Sequence, residues 1–230
     1  MLIAISQRNE KSEFMDYSDR LENNYINYYE SFGIILIQIP NSSKKIEKYF
    51  KELSINGVIL TGGGDVNPKL YEQKAQYVNN FSELRDNTES SLLEIAIEKK
   101  LPVFCNCRGM QFVNVFFGGN LIQDTKKQLK LDHLATNHII KITDEKVNSY
   151  LKKDDFLVNS FHNQAITQEI LSKELKYFAI SEDGLIEGIY HPNYPIAGVQ
   201  WHPERKGPDR KVDNMLINAF IKRELFWEKK

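Results

Sequence analysis

Apolar residues along the chain fall into two kinds of stretch. Short, mostly apolar runs occur at 2–6, 34–39, 57–61 and 102–106, and their β-branched content suits strands buried on both faces. Between them the apolar positions recur every three or four residues, which predicts helices. Leu21, Tyr25, Tyr28, Tyr29 and Phe32 predict a helix over 16–32, closed by Gly33. Ile46, Tyr49, Phe50 and Leu53 predict one over 42–53, with Ser42 or Ser43 as its cap. Leu92, Leu93, Ile95, Ala96 and Ile97 predict one over 86–99, and another follows over 108–117. Beyond residue 130 the chain is richer in strands, predicted at 138–142, 156–160, 177–180, 185–190 and 195–200. An amphipathic helix over 212–227 ends the chain.

Strand and helix alternate through the first half, so the expected architecture is α/β, a mostly parallel central sheet with helices on both faces. No linker rich in Pro, Gly or Ser divides the chain, which predicts one domain over residues 1–230. In such sheets ligands gather beyond the carboxyl ends of the strands. Four polar stretches follow candidate strands directly: Gly62-Gly63-Gly64-Asp65, Cys107-Arg108-Gly109, Ser160-Phe161-His162-Asn163-Gln164 and His202-Pro203-Glu204. Their common position makes them candidates for one site.

Composition narrows the possibilities. The 230 residues carry a net charge of -1, with 27% charged residues, which gives no electrostatic footprint for nucleic acid or an anionic membrane. No apolar run approaches the ~20 residues of a membrane helix, and the first residues are too polar for a secretory signal. The only cysteines, Cys105 and Cys107, are too close for an unstrained disulfide and too few for a zinc site, so a reduced, cytoplasmic protein is expected. His133 and His138 show no paired ligand spacing, and the chain suggests neither a metal nor a cofactor.

Cys107 is the candidate nucleophile. A strand ending at a sharp turn into a helix thrusts one side chain outward, and the helix N-terminus aims its amides at it. Two buried core cysteines would leave the same local pattern. A nucleophilic thiol needs a base, and the base needs an orienting partner. Placed two apart at a strand end, His202 and Glu204 would face one side, with Pro203 stiffening the turn between them. The Arg108 amide and the Gly64 amide are the natural oxyanion donors, since glycine lets the backbone approach a substrate closely. Taken singly, His202 could be a core histidine and the glycines a plain turn. Four such groups after four strands favour catalysis.

These motifs resemble those of class I glutamine amidotransferases, within them the γ-glutamyl hydrolase branch, peptidase family C26. The resemblance rests on Leu60-Thr61-Gly62-Gly63-Gly64-Asp65-Val66-Asn67-Pro68 with Tyr71, on Arg85-Asp86 with Glu89, and on Cys107-Arg108-Gly109-Met110-Gln111. It rests also on Val158-Asn159-Ser160-Phe161-His162 with Gln164, and on Gly198-Val199-Gln200-Trp201-His202-Pro203-Glu204-Arg205. It implies a flavodoxin-like sandwich of three layers and a Cys107–His202–Glu204 triad that cleaves a γ-glutamyl amide through a thioester. It implies that Gln111, Ser160, Phe161 and His162 hold the glutamyl group, and that Arg85, Asp86 and Glu89 brace the fold. The polar stretch 6–24 departs from the γ-glutamyl-γ-aminobutyrate hydrolases. The compact, Lys/Asn/Ile-rich chain is more similar to hydrolases of bacterial surface-polysaccharide clusters, in particular of Campylobacter-type capsule phosphoramidate synthesis. The specific expectation is therefore γ-glutamyl-CDP-amidate as substrate, with Arg8, Tyr71, Arg205 and Lys206 at the nucleotide end. The alternatives are another small γ-glutamyl conjugate, γ-glutamyl-γ-aminobutyrate included, or a glutaminase subunit feeding ammonia to a synthetase.

Overall fold

The structure, a computed structural model, describes residues 1–14 and 16–228. Five parallel strands form one half of a nine-stranded sheet: β1 (Leu2–Ile5), β4 (Ile35–Gln38), β5 (Ile55–Leu60), β6 (Val103–Asn106) and β11 (Ile196–Val199). Their spatial order is β4-β1-β5-β6-β11. Counted along the chain this is 2-1-3-4-5, the flavodoxin-like order. The sheet continues antiparallel through β10 (Ile186–Tyr190), β9 (Lys176–Ser181), β7 (Leu134–Ile142) and β8 (Asp155–Phe161).

Strand alternation divides the core into two layers. Ile3, Ile5, Ile59, Phe104, Ala197 and Val199 meet Tyr25 and Tyr29 of α1 (Asn23–Glu30) and Leu216 and Phe220 of α7 (Arg210–Lys222) on one face. Ala4, Val58, Leu60, Val103, Cys105 and Ile196 belong to the other core, with Phe50 of α2 (Ile46–Glu52), Leu92 and Leu93 of α3 (Glu83–Glu98), and Met110 of α4 (Arg108–Phe116). These two faces give the expected three layers. Two short helices, α5 (Thr125–Leu129) and α6 (Glu145–Leu151), complete the chain and carry too few apolar positions to be foreseen.

Strand β7 starts at Leu134 rather than 138, and four helix boundaries depart from expectation by three residues or more. The helix over 16–32 exists only as α1. Residues before it form a hairpin, β2 (Arg8–Lys11) with β3 (Tyr17–Arg20), held by an Asn9–Asp19 hydrogen bond of 2.9 Å and an Arg20–Glu10 ion pair. The apolar period begins only at Leu21, so nothing drives the polar stretch into a helix. Helix α2 starts at Ile46 because Ser43 spends its hydroxyl on a turn, accepting from the Lys45 amide. Helix α3 starts three residues early, at Glu83, because Ser82 caps it by accepting from the Arg85 amide. Helix α7 ends at Lys222. Arg223 adopts φ 55°, and Leu225, Phe226 and Trp227 fold back into the core, where Trp227 Nε1 donates to the Val103 carbonyl at 2.8 Å.

Candidate active site

Cys107 sits where β6 turns into α4, with φ 49° and ψ −107°, a conformation costly for a residue with a Cβ. The turn is over-determined. The Cys107 amide donates to Val199 O at 2.8 Å. Gly109 lies so close to β5 that a Cβ there would stand 2.5 Å from Leu60 O. The Arg108 side chain turns inward onto Asp86 and Glu89 of α3, and its Nε donates to Asp65 O at 3.0 Å. Arg85 binds Glu89 at 2.9 Å. The expected bracing role of Arg85, Asp86 and Glu89 thus has a specific object, since Arg108 locks the residue after the nucleophile to the neighbouring helix.

His202 and Glu204 lie beyond the end of β11, in a turn rather than on a continued strand. Their pairing is nevertheless the expected one, with His202 Nδ1 2.6 Å from Glu204 Oε1. The His202 ring and the Cys107 side chain both stand over Gly62, close enough for each to act on the other's charge. Asn159 holds the His202 main chain from both sides, accepting from its amide and donating to its carbonyl, each at 2.9 Å. Gly62 is required beneath the ring, because a Cβ there would stand 2.7 Å from His202 Cε1. Burial works against a charged imidazole, but Glu204 and Cys107 outweigh it and push His202 up to about 9. Burial likewise pushes the Cys107 thiol up, and His202 beside it more than offsets this, leaving the thiol below its ordinary value. The geometry therefore favours a thiolate–imidazolium pair.

The carbonyls of Thr61, Gly62 and Gly63 all accept from Arg85, at 2.7, 3.2 and 2.5 Å. A trans peptide points its N–H opposite its carbonyl, so the Gly64 amide faces away from Arg85. Gly64 lines a pocket of about 240 Å³ together with Cys107, Gln111, Phe161, His162 and Gln164. The Arg108 amide is in the first turn of α4, where no intrahelical acceptor exists. Of the two expected oxyanion donors, Gly64 thus lines the pocket beside Cys107, and Arg108 opens the helix immediately after it. A larger hollow of about 830 Å³, lined by Met1, Asn56, Lys99, Tyr194 and Arg223 among others, lies at the opposite ends of the parallel strands, away from these groups.

This geometry has known counterparts. The Peptidase C26 family model matches residues 1–204. The chain belongs to the peptidase C26 family. It is 34% identical to protein NtpR of Enterococcus hirae over 209 residues, covering 86% of each chain. It is 28% identical over 220 residues to the γ-glutamyl-γ-aminobutyrate hydrolase PuuD of Escherichia coli, covering 87% of this chain and 85% of that one. A glutamine amidotransferase structure from Thermotoga maritima superposes with TM-score 0.60 at 16% identity, covering 96% of this chain and 82% of the other, a likeness of fold. This C26 protein is therefore an enzyme of the glutamine amidotransferase-like class, with γ-glutamyl amide hydrolysis or amidotransferase-like chemistry.

Not every expected residue reaches the pocket of this C26 enzyme. Gln111 does, with its Nε2 on Gln164 O at 2.7 Å and Gln200 Oε1 at 3.1 Å. Phe161 does, edge-on to His202 with ring centres 5.8 Å apart. His162 lines the wall. Ser160 is fully buried, and its hydroxyl donates to His133 O at 2.7 Å. Of the residues expected at the nucleotide end, Tyr71 is buried against Gln164, Arg8 is paired to Glu22, and Lys206 lines a separate hollow with Tyr28 and Arg210. Arg205 lies over the Phe161 ring at 4.3 Å. Cys105, two residues before the nucleophile, is core beside Met110, because the elbow breaks strand alternation after Asn106.

Three contributors escaped sequence reasoning. Gln200 Nε2 donates to Cys107 Sγ at 3.4 Å, and Asn159 clamps His202. Glu187, fully buried in β10, faces His138 and His162. Glu187 did carry a signal, a lone carboxylate inside the apolar run 185–190. The two amides carried none, because their role depends on strands far apart in sequence.

Proposed function

We propose that this protein is a cysteine-dependent hydrolase of γ-glutamyl amides, with Cys107, His202 and Glu204 as its triad. The observation that carries the reading is the His202–Glu204 hydrogen bond of 2.6 Å, with the His202 ring set beside Cys107 at the wall of a polar pocket. The thiolate attacks the γ-carbonyl carbon, and the carbonyl electron pair moves onto oxygen, received by the Gly64 and Arg108 amides. Collapse breaks the C–N bond as His202 delivers its proton to the leaving nitrogen, giving a thioester. His202, now neutral, takes a proton from water. The resulting hydroxide attacks the thioester, and collapse frees glutamate and restores the Cys107 thiolate and the His202 imidazolium. Gln111, Phe161 and His162 border the space for the glutamyl group, and Ser160 acts through the strand end it anchors.

For the leaving group, the first reading is a cytidine diphosphate phosphoramidate. It is supported by the resemblance of the chain and by the Arg205 guanidinium beside Phe161, suited to a phosphate. The second is γ-aminobutyrate, supported by the name of the relative from E. coli. The test is kcat/KM of the isolated chain on γ-glutamyl-CDP-amidate, γ-glutamyl-γ-aminobutyrate, folyl-polyglutamate and glutamine. A preference of at least tenfold for the first supports the first reading, and equal rates would remove it. Glutamate released from none of the four would overturn the hydrolase itself. Turnover of glutamine alone, and only with a synthetase added, would make the chain a glutaminase subunit.

A further inference from the structure

Three of the five histidines in the chain gather behind the pocket wall around one carboxylate. His133 precedes β7, His138 lies within it, His162 follows β8, and Glu187 is the second residue of β10. Glu187 is fully buried, and neither of its oxygens has a hydrogen-bond partner within normal reach. His162 Nε2 stands 3.6 Å and His138 Nε2 3.4 Å from Glu187 Oε1. Ligand atoms of His133, His162 and Glu187 all lie within 4.8 Å of one another.

The outer hydrogen bonds fix which atoms are left over. His162 Nδ1 faces the Gln164 carbonyl at 3.0 Å, which can only accept, so Nδ1 carries the proton and a neutral ring leaves its lone pair on Nε2. His133 Nε2 is 2.7 Å from the Asp183 carboxylate, so its lone pair is on Nδ1. The nearest group to that nitrogen is the Ser160 hydroxyl at 3.4 Å, which already donates to His133 O at 2.7 Å. Lone pairs of two imidazoles thus converge on a buried carboxylate. A proton on His162 would satisfy one contact and leave His133 Nδ1 with only the long approach of the Ser160 hydroxyl. A divalent cation satisfies all three. Histidines held from behind by a carbonyl and a carboxylate are the usual arrangement of zinc ligands.

We propose that His133, His162 and Glu187 form a binding site for a divalent metal ion of the zinc class, with His138 beside them. This site is separate from the triad and does not depend on the γ-glutamyl reading. Ligand atoms around zinc stand about 3.4 Å apart, so the side chains draw together on the ion. The full chain, stripped with a chelator and then freed of it, is titrated with Zn²⁺ against a chromophoric chelator. One equivalent is expected to bind. Glu187→Gln should weaken binding by at least about 100-fold and Asp183→Asn by about 10-fold, while Cys107→Ser binds as the parent does. Cobalt-loaded protein should show no thiolate charge-transfer absorption. Circular dichroism checks that Glu187→Gln is folded, and if it is not, Asp183→Asn decides. No stoichiometric uptake, or undiminished affinity in the folded variants, would overturn the site. So would uptake lost in Cys107→Ser, which would put the ion on the thiol.

Discussion

Cys105 and Cys107 are two residues apart and both buried, yet their thiols are pushed in opposite directions. Cys105 sits in the middle of β6, and burial, reinforced by the Glu89 charge, pushes its thiol well above the ordinary value. Cys107 is buried to nearly the same degree, but it has left the strand at a strained elbow and meets His202. Burial alone makes a thiol inert; a cation placed against it reverses the outcome. The cysteine proposed as nucleophile is set apart from its core neighbour by the turn at residue 107 and by what the turn presents it to.

The largest expected effect removes the reactive side of this contrast. Cys107→Ser should lower glutamate release by at least about 10⁴-fold, because an alcohol is far less acidic than this thiol and His202 cannot hold it ionised. Turnover within tenfold of the parent would refute a covalent mechanism at Cys107. Glu204→Gln comes next, at about 10²–10⁴-fold in kcat, since a neutral amide neither fixes the His202 tautomer nor stabilises its charge. It also carries a pH signature. Burial lowers the His202 pKa while Glu204 and Cys107 raise it to about 9, so the proton meant for the leaving nitrogen is present below that pH. Activity should fall as pH rises through about 9, and in Glu204→Gln the fall should move to lower pH. An unmoved alkaline limb would mean that another group sets it.

Glu89 touches both cysteines at a distance: it holds Arg108, the neighbour of Cys107, and its charge acts on Cys105. Glu89→Gln leaves two buried guanidinium groups, Arg85 and Arg108, with Asp86 as the remaining carboxylate of their cluster. The expected cost is about 3–5 kcal/mol in unfolding free energy, read from denaturant midpoints. A loss below about 1 kcal/mol would mean that solvent or Asp86 compensates and that the clamp is weaker than its burial implies.

Much of this contrast was legible before the structure. The short apolar runs gave four of the five parallel strands, because a strand covered on both faces is apolar nearly throughout; β4, at the sheet edge, shares the pattern although it is partly exposed. The elbow, the Gly64 turn and the His202–Glu204 pair were legible because each is local, a few residues with fixed spacing. What escaped was non-local or unpatterned. The β2–β3 hairpin has almost no apolar residues to mark it. Asn159 acts on His202 across 43 positions, and Gln200 acts on Cys107 across 93. The histidine cluster draws on three strands of the antiparallel half, so no ligand spacing exists to be read.

The smallest effect tests the inert side of the pair. Cys105→Ala removes one sulfur from a core so tight that a Cβ added at Gly198 would stand 2.8 Å from the Cys105 Cβ and 3.1 Å from that of Met110. A cavity of that size should cost about 1 kcal/mol or somewhat more. Turnover should be that of the parent, because Cys105 lies in the core with Met110 and does not line the pocket. Iodoacetamide gives the decisive count. The native parent and Cys105→Ala should each take up one label per chain at the same rate, Cys107→Ser none, and the parent a second label only once unfolded. A label on Cys105 in the native protein would mean that β6 opens more readily than its central position in the sheet implies. The contrast between the two thiols would then be one of access as much as of charge.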